Sequence, residues 1–147
     1  IYRPLVQRVV EAVKADGRII LVGCANGADA FVREAAPAAK VFKASSYGTG
    51  PGSFAARSIA MVERAATRPG SGLIVFPSLP CPDGLLPSAR SKDCFCGLGS
   101  GSWASAALAA GLGLSVFVFP CGFSALPPWG EWQPAGSGVW TSGFLLR

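Results

Sequence analysis

The sequence predicts an α/β fold in which helices cover a mainly parallel sheet. Helix-like and strand-like patterns alternate along most of the chain, and that order is typical of strand–helix–strand units. The stretch LSVFVF at 114–119 is a continuous apolar run, as expected for a strand that is covered on both faces. Several glycine-rich turns also follow predicted strands and open predicted helices.

The elements follow from apolar spacing and from turn residues. Apolar side chains at 5, 6, 9, 10 and 13 predict an amphipathic helix, and Pro4 suits its first turn. Pro37 should shorten the second helix, and Ile59 and Met61 should face inward on the third. The predicted helices cover 5–13, 28–39, 54–66 and 103–110, and the predicted strands cover 18–22, 40–44, 72–76 and 114–119.

Residues 123–147 break this pattern and predict a terminal hairpin or an extended arm attached to one domain that covers 1–147. Sheets of this class usually begin with a strand, whereas this chain begins with a helix. We therefore expect that the first strand is missing or is replaced by another segment. An exposed sheet edge of that kind could be covered by a second copy, so we also expect a homodimer.

Composition narrows the function classes. The 147 residues are 50% hydrophobic and 14% charged, which predicts a folded core. The net charge is +5, but the basic residues are scattered, and this favours a single anionic ligand over a nucleic acid. The absence of histidine excludes histidine acid–base chemistry and histidine metal ligands. We predict neither a metal nor a cofactor.

Location is predicted from the cysteines and the hydropathy pattern. Five cysteines in a patterned α/β chain indicate reduced thiols in the cytoplasm. Residues 94–130 carry no charge, but glycines and prolines, among them Gly97, Gly111 and Pro120, cut them into short pieces, so we expect no membrane span. The chain begins with Ile1, so we expect a fragment or a processed product. It shows no signal-peptide pattern, because no basic region precedes an apolar core.

Three polar turns should meet at the carboxyl edge of the predicted sheet, where open α/β folds bind ligands. They are GCANGAD at 23–29, GTGPGSFAARSIAM at 48–61 and GLGSGSW at 97–103. Amides at a helix start favour an anion, and glycine allows a close approach. Together these turns predict a site for a phosphate-bearing ligand.

The same turns resemble those of the SLOG superfamily, which includes the DNA-processing protein A domain and the LONELY GUY phosphoribohydrolases. GCANGAD is similar to its G-G-A-x-G-A-D turn, GPGSFAARSIAM to its G-P-x-x-R-N-x-x-M segment, and GLGSGSW to its P-G-G-x-G-T turn. The resemblance covers about residues 5–120 in matching order. It implies a Rossmann-like, three-layer nucleotide-binding fold that is often dimeric, and it does not fix an activity.

Matched residue by residue, the resemblance implies a pocket whose first side is shaped by the turn at 23–29. Arg57 would bind phosphate, and the turn at 97–103 would bind the same phosphate through backbone N–H groups. The implied ligand-binding residues are Gly23, Asn26, Gly27, Asp29, Ser53, Arg57, Gly99, Ser100, Gly101 and Ser102.

One departure from the family argues against catalysis. The phosphoribohydrolases carry a glutamate where this chain has Ser105. Cleavage of a glycosidic bond needs a carboxylate. We therefore predict nucleotide binding without catalysis. A phosphoribohydrolase that uses Asp29, Glu34 or Glu63 is an alternative, and single-stranded DNA binding is a second.

Several of these residues also have a purely structural interpretation. Asp29 could cap its helix instead of binding a ligand, and Arg57 could be a solvated helix residue. Arg33 and Glu34 are interpreted as surface charges. Trp103 is interpreted as core or pocket wall, with base stacking as the alternative.

Overall fold

The computed structural model describes residues 2–146 and has an α/β fold, as the sequence predicts. Those residues contain five α-helices and six strands, and the strands form a two-stranded and a four-stranded sheet. The chain divides between Met61 and Val62 into two compact units. Within residues 2–146, no helix combines the length and the apolar character that crossing a bilayer requires.

The first unit begins with α1, Tyr2–Ala15. Its buried side chains are Val6, Val9 and Val10, which lie on the stripe that the apolar spacing predicts. The helix ends at Ala15, two residues before Gly17, whose φ of 72° is readily adopted only by glycine. The pattern of apolar residues was therefore sufficient to predict this helix.

Two short parallel strands follow, β1 (Leu21–Gly23) and β2 (Lys40–Phe42), and α2 (Ala28–Ala35) connects them. The sequence predicts that this helix extends to residue 39. It stops earlier because Ala36 precedes Pro37 and adopts a non-helical φ of −131°. A proline disfavours the helical conformation of the residue before it.

Helices α1 and α2 pack against each other. The rings of Tyr2 and Phe31 meet edge to face with centroids 5.9 Å apart. Arg3 forms an ion pair with Glu34 and places its guanidinium carbon 5.5 Å from the centroid of the Phe31 ring. Glu34 lies at the surface, as the sequence analysis expects, and its carboxylate is already paired.

Helix α3 covers Ser53–Ala66 and follows a 3₁₀ turn at Ala44–Tyr47. The sequence analysis expects Ile59 and Met61 to face inward, yet both are only partly buried. The buried positions on this helix are instead Ser53, Arg57, Ser58 and Val62. Three of these four residues are polar, so apolar spacing alone could not identify the inner face.

The second unit contains a four-stranded sheet in the order β3-β4-β6-β5. Its strands are β3 (Gly72–Val75), β4 (Ser115–Val118), β5 (Trp132–Pro134) and β6 (Phe144–Leu146). Strands β3 and β4 are parallel, whereas β6 pairs antiparallel with both β4 and β5. This sheet is therefore mixed, although the sequence predicts a mainly parallel one, because the strands after Pro120 pair antiparallel.

Helices α4 (Ser91–Cys94) and α5 (Gly101–Gly111) belong to this unit, and α5 packs on β3 and β4. Small side chains allow a close approach, and every residue of α5 from 103 to 109 is buried. Trp103 has no exposed surface, and its Nε1 donates a hydrogen bond to the carbonyl oxygen of Leu79 over 2.8 Å. Trp103 is thus a core residue and has no surface on which a base could stack.

Candidate functional site

The turn between β1 and α2 is organised by a carboxylate. Asp29 lies in the first turn of α2, and its Oδ2 accepts a hydrogen bond from the backbone N–H of Ala25 over 3.2 Å. The same oxygen lies 3.5 Å from Nη1 of Arg57. Gly27, the residue that precedes α2, makes no side-chain cap and has a φ of 77°. Asp29 therefore connects the turn to α3.

Arg57 is buried, with 8% of its side chain exposed. Its Nη1 contacts Asp29 Oδ2 and lies 3.7 Å from the sulfur of Cys24. Nε of Arg57 is also buried, and no hydrogen-bond partner for it is found among residues 2–146. Arg57 is thus not a solvated helix residue, and its buried charge has only long contacts.

Gly23 makes room for that guanidinium group. A Cβ atom at this position would overlap Nη1 of Arg57 and Oδ2 of Asp29. The backbone of Gly23 is not among those with a positive φ, so glycine is needed here for space and not for an unusual conformation. The first glycine of the turn is therefore required by a charged side chain that lies far away in the sequence.

Arg33 holds the turn from the other side. Its Nη1 donates to the carbonyl oxygens of Gly23, over 2.7 Å, and of Ala25, over 3.0 Å. The sequence analysis interprets Arg33 as a surface charge, and the structure contradicts this, because the side chain is partly buried and hydrogen-bonded to the backbone. No local pattern marks this role, because Arg33 bonds to backbone carbonyls eight and ten residues earlier in the chain.

An open cleft of about 690 Å³ lies beyond the carboxyl ends of β1 and β2. Cys24 directly follows β1, and Lys43 directly follows β2. Adjacent parallel strands whose ends open onto a cleft are a common ligand-binding position in α/β folds. The cleft is lined by Cys24, Arg33, Val41, Lys43, Ala44, Ser45, Gly48, Thr49, Ser53 and Phe54.

Of the residues predicted in this unit, Ser53 lines the cleft directly. Arg57 contacts Cys24, which is itself a lining residue, and Asp29 and Gly23 pack against the Arg57 guanidinium. The other two, Asn26 and Gly27, lie in the turn that precedes α2 and do not line the cleft.

The remaining predicted residues, Gly99, Ser100, Gly101 and Ser102, belong to the second unit. Gly99 has a φ of 91° and Ser100 a φ of 35°, and the latter is the one non-glycine residue among 2–146 with a positive φ. The hydroxyl oxygen of Ser100 accepts a hydrogen bond from the backbone N–H of Trp103 and caps α5. A shared ligand for these residues and the cleft stays a prediction.

Sequence reasoning missed several lining residues. Lys43 supplies a cation, Thr49 a hydroxyl group, and Phe54 a ring with 53% of its surface exposed. Thr49 and Phe54 lie in the polar turn at 48–61, and that turn was the available signal, whereas Lys43 lies inside the predicted strand 40–44. Within that turn only Ser53 and Arg57 were predicted to bind a ligand.

Three thiols outside the cleft remain protonated at neutral pH. Burial raises the pKa of Cys81 to about 11, with a smaller contribution from the charge of Asp83. Burial also raises the pKa of Cys94 and of Cys121. Among residues 2–146 no group of three or more histidine, cysteine, aspartate or glutamate side chains is placed to hold a metal ion.

No protein-family model matches the chain, and neither the curated proteins nor the solved structures contain a significant match.

Proposed function

We propose that the unit ending at Met61 binds the phosphate group of a nucleotide or nucleotide-derived metabolite in the cleft beyond β1 and β2, without catalysing a reaction. The observation that carries the proposal is Arg57, a buried guanidinium for whose Nε the described residues offer no hydrogen-bond partner. A buried cation needs close partners, because removal from water costs several kcal/mol. Its contacts with Asp29 and Cys24 are both long, and since Cys24 lines the cleft, an anion bound there would help to neutralise this charge.

The lining of the cleft supports an anionic ligand. Arg33 and Lys43 supply positive charge, and Ser45, Thr49 and Ser53 supply hydroxyl donors. Phosphate oxygens accept hydrogen bonds from all of these groups. The mixture of fixed cations and short hydroxyl side chains fits a compact anion better than a long acidic polymer.

Phe54 supports the nucleoside half of such a ligand. Its ring is 53% exposed, lines the cleft and lies 5.7 Å from the guanidinium carbon of Arg57. Stacking of a base on an exposed aromatic ring contributes about 1–3 kcal/mol. A ligand with a base on Phe54 and a phosphate towards Lys43 would use both kinds of group.

The resemblance to the SLOG superfamily supports the same function, since Gly23, Asp29 and Arg57 carry part of it. We propose a Rossmann-like, three-layer arrangement on that basis. Absence of catalysis is supported by Ser105, which stands where the phosphoribohydrolases have a glutamate. Two of the alternative carboxylates, Asp29 and Glu34, already pair with arginines.

Calorimetric titration of the intact chain with adenosine monophosphate, adenosine diphosphate and inorganic phosphate tests the proposal. We expect the nucleotides to bind more tightly than phosphate alone. Lys43→Gln should weaken nucleotide binding about tenfold, because a charged hydrogen bond contributes about 1.5–3 kcal/mol. Phe54→Leu should weaken the nucleotides and leave inorganic phosphate unchanged.

Matched controls keep the result specific. Lys40→Gln removes an exposed lysine of β2 that does not line the cleft, and Ile19→Ala removes an exposed apolar side chain elsewhere in the unit. Neither should change binding. Absence of binding at millimolar concentrations of every phosphate ligand, with a folded protein, contradicts the proposal.

The same samples separate the two alternatives. Release of free adenine from adenosine monophosphate would support a phosphoribohydrolase and contradict binding without catalysis. Tight binding of single-stranded DNA with a steep dependence on salt would support the nucleic-acid alternative.

A further inference from the structure

The five cysteines differ in what their sulfur atoms do. The sulfur of Cys24 accepts hydrogen bonds, from the backbone N–H of Ala44 over 3.1 Å and from Nη1 of Arg57 over 3.7 Å. A carbonyl oxygen can only accept a hydrogen bond. A cysteine sulfur that is hydrogen-bonded to a carbonyl oxygen must therefore carry the proton. The thiols that donate to backbone carbonyls in this way are Cys81, Cys94, Cys96 and Cys121.

N–H donors that point at a sulfur stabilise negative charge on it, and the thiolate is the nucleophilic form of cysteine. Arg57 faces Cys24 from α3, Arg33 lines the same cleft from α2, and Lys43 lines it from the end of β2. Asp29 is the carboxylate on this side, and it lies against the Arg57 guanidinium. The charged residues that line the cleft with Cys24 are therefore both cations.

Two further observations distinguish Cys24 from an isolated thiol. It lines an open cleft, so a reagent can reach it. Its partner Arg57 is more than nine-tenths buried, and its Nε has no hydrogen-bond partner among the described residues. Asp29 supplies one negative charge 3.5 Å from Nη1 of Arg57, and the Cys24 sulfur is the second acceptor that this nitrogen contacts.

We propose that Cys24 is a modification site that reacts through its thiolate with small disulfides carrying carboxylate groups, of which glutathione disulfide is the test compound. The cations Arg33 and Lys43 attract the carboxylates, and the N–H groups of Ala44 and Arg57 stabilise the attacking sulfur. This inference goes beyond the proposed function, because it requires no nucleotide.

The reaction is a thiol–disulfide exchange. Cys24 loses its proton to solvent, and its sulfur attacks one sulfur of the disulfide. A bond forms between these two atoms while the original disulfide bond breaks. The second glutathione leaves as a thiolate and takes up a proton. Cys24 is oxidised to a mixed disulfide, one glutathione is reduced, and no other oxidant is required.

Competitive alkylation of the intact, folded chain tests the thiolate, with peptide mass spectrometry to locate each label. Cys96 is an exposed thiol whose sulfur donates to a carbonyl, so it is an internal control. At neutral pH we expect Cys24 to react with iodoacetamide about tenfold faster than Cys96. With the anionic reagent iodoacetate, the ratio of the rate at Cys24 to the rate at Cys96 should be larger still.

Incubation with glutathione disulfide should add one glutathionyl group, at Cys24, and dithiothreitol should remove it. Cys24→Ser should abolish the adduct. Lys43→Gln should slow adduct formation several-fold, whereas Lys40→Gln should not. Arg57→Met should slow it further. If Arg57→Met does not fold, two other results decide the outcome. They are the comparison of Lys43→Gln with Lys40→Gln, and the ratio of the iodoacetate reaction rates at Cys24 and Cys96.

Equal alkylation rates at Cys24 and Cys96, or an adduct that forms mainly at another cysteine, would overturn the inference. The assay contains no nucleotide, so failure of nucleotide binding does not change its outcome. Conversely, a slow Cys24 leaves the calorimetric test of the proposed function intact.

Discussion

Two glycine-rich turns each precede a helix, and Gly23 in the first differs from Gly99 in the second. In the turn at 23–29, Gly23 has no positive φ, but a Cβ there would overlap Arg57 and Asp29. In the turn at 97–103, Gly99 has a φ of 91°, yet nothing lies within 4 Å of its would-be Cβ, and Gly27 of the first turn is similar to Gly99 in both respects. Both turns thus need glycine for backbone conformation, and the first also needs it for space at Gly23.

The difference shows that glycine content does not reveal how a turn works. Charged side chains stabilise the first turn. Arg33 donates hydrogen bonds to two of its backbone carbonyl oxygens, and Asp29 accepts one from a backbone N–H group. The second is set by its own backbone and by the hydroxyl of Ser100, and it leads into an apolar, buried helix. Of the two, the first brings buried charge to the edge of a cleft.

The largest effect should come from Gly23→Ala. The added methyl group must displace a buried guanidinium and its carboxylate, and overpacking with disruption of a buried ion pair costs about 3 kcal/mol. Urea unfolding followed by circular dichroism measures the change in the free energy of unfolding.

Gly101→Ala is the matched control. Gly101 is the first residue of α5, has no positive φ, and has nothing within 4 Å of its would-be Cβ. Alanine in a helix should leave stability unchanged or raise it by about 0.5 kcal/mol. Equal losses at both positions would contradict the distinction between the two turns.

A smaller effect is expected for Gly99→Ala. The site has space for a methyl group, so the cost is that of the positive φ alone, about 1–2 kcal/mol. The same unfolding experiment measures it. A loss as large as that of Gly23→Ala would indicate a packing role that the open space around Gly99 does not suggest.

The smallest effect concerns Ser100. Ser100→Ala removes the hydroxyl that accepts from Trp103 N–H and should cost about 1 kcal/mol. Ser100→Gly also loses the cap, but glycine tolerates the φ of 35°, so the loss should be only a few tenths of a kcal/mol. If glycine costs as much as alanine, the lost hydroxyl and not the positive φ accounts for the effect.

Much of the secondary structure was predictable because it depends on local patterns. The valines of α1 recur at helical spacing, and the apolar run at 114–119 contains β4. The early end of α2 follows from Pro37, whose effect the sequence analysis anticipated in direction. A hairpin at 123–147 was one of the two predicted forms of this segment, but the antiparallel pairing of β6 with β4 was missed, because it depends on contacts between distant segments.

The candidate site was only partly predictable. Arg57 was selected because of its neighbours in the sequence, but its burial was not foreseen. Cys24 and Phe54 lie in two of the predicted turns but were not predicted to bind a ligand, and Lys43 lies in a predicted strand. That all three line one cleft depends on the fold and not on their local sequence.

By itself the sequence determined the alternation of helices and strands, the positions of the glycine turns and the absence of histidine chemistry, because each depends on residue type and short-range spacing. Only the tertiary structure decided that Gly23 makes room for Arg57, that Arg33 supports a turn and that one sulfur among five accepts hydrogen bonds. These properties arise from contacts between residues 8 to 34 positions apart, and such contacts are formed only when the chain folds.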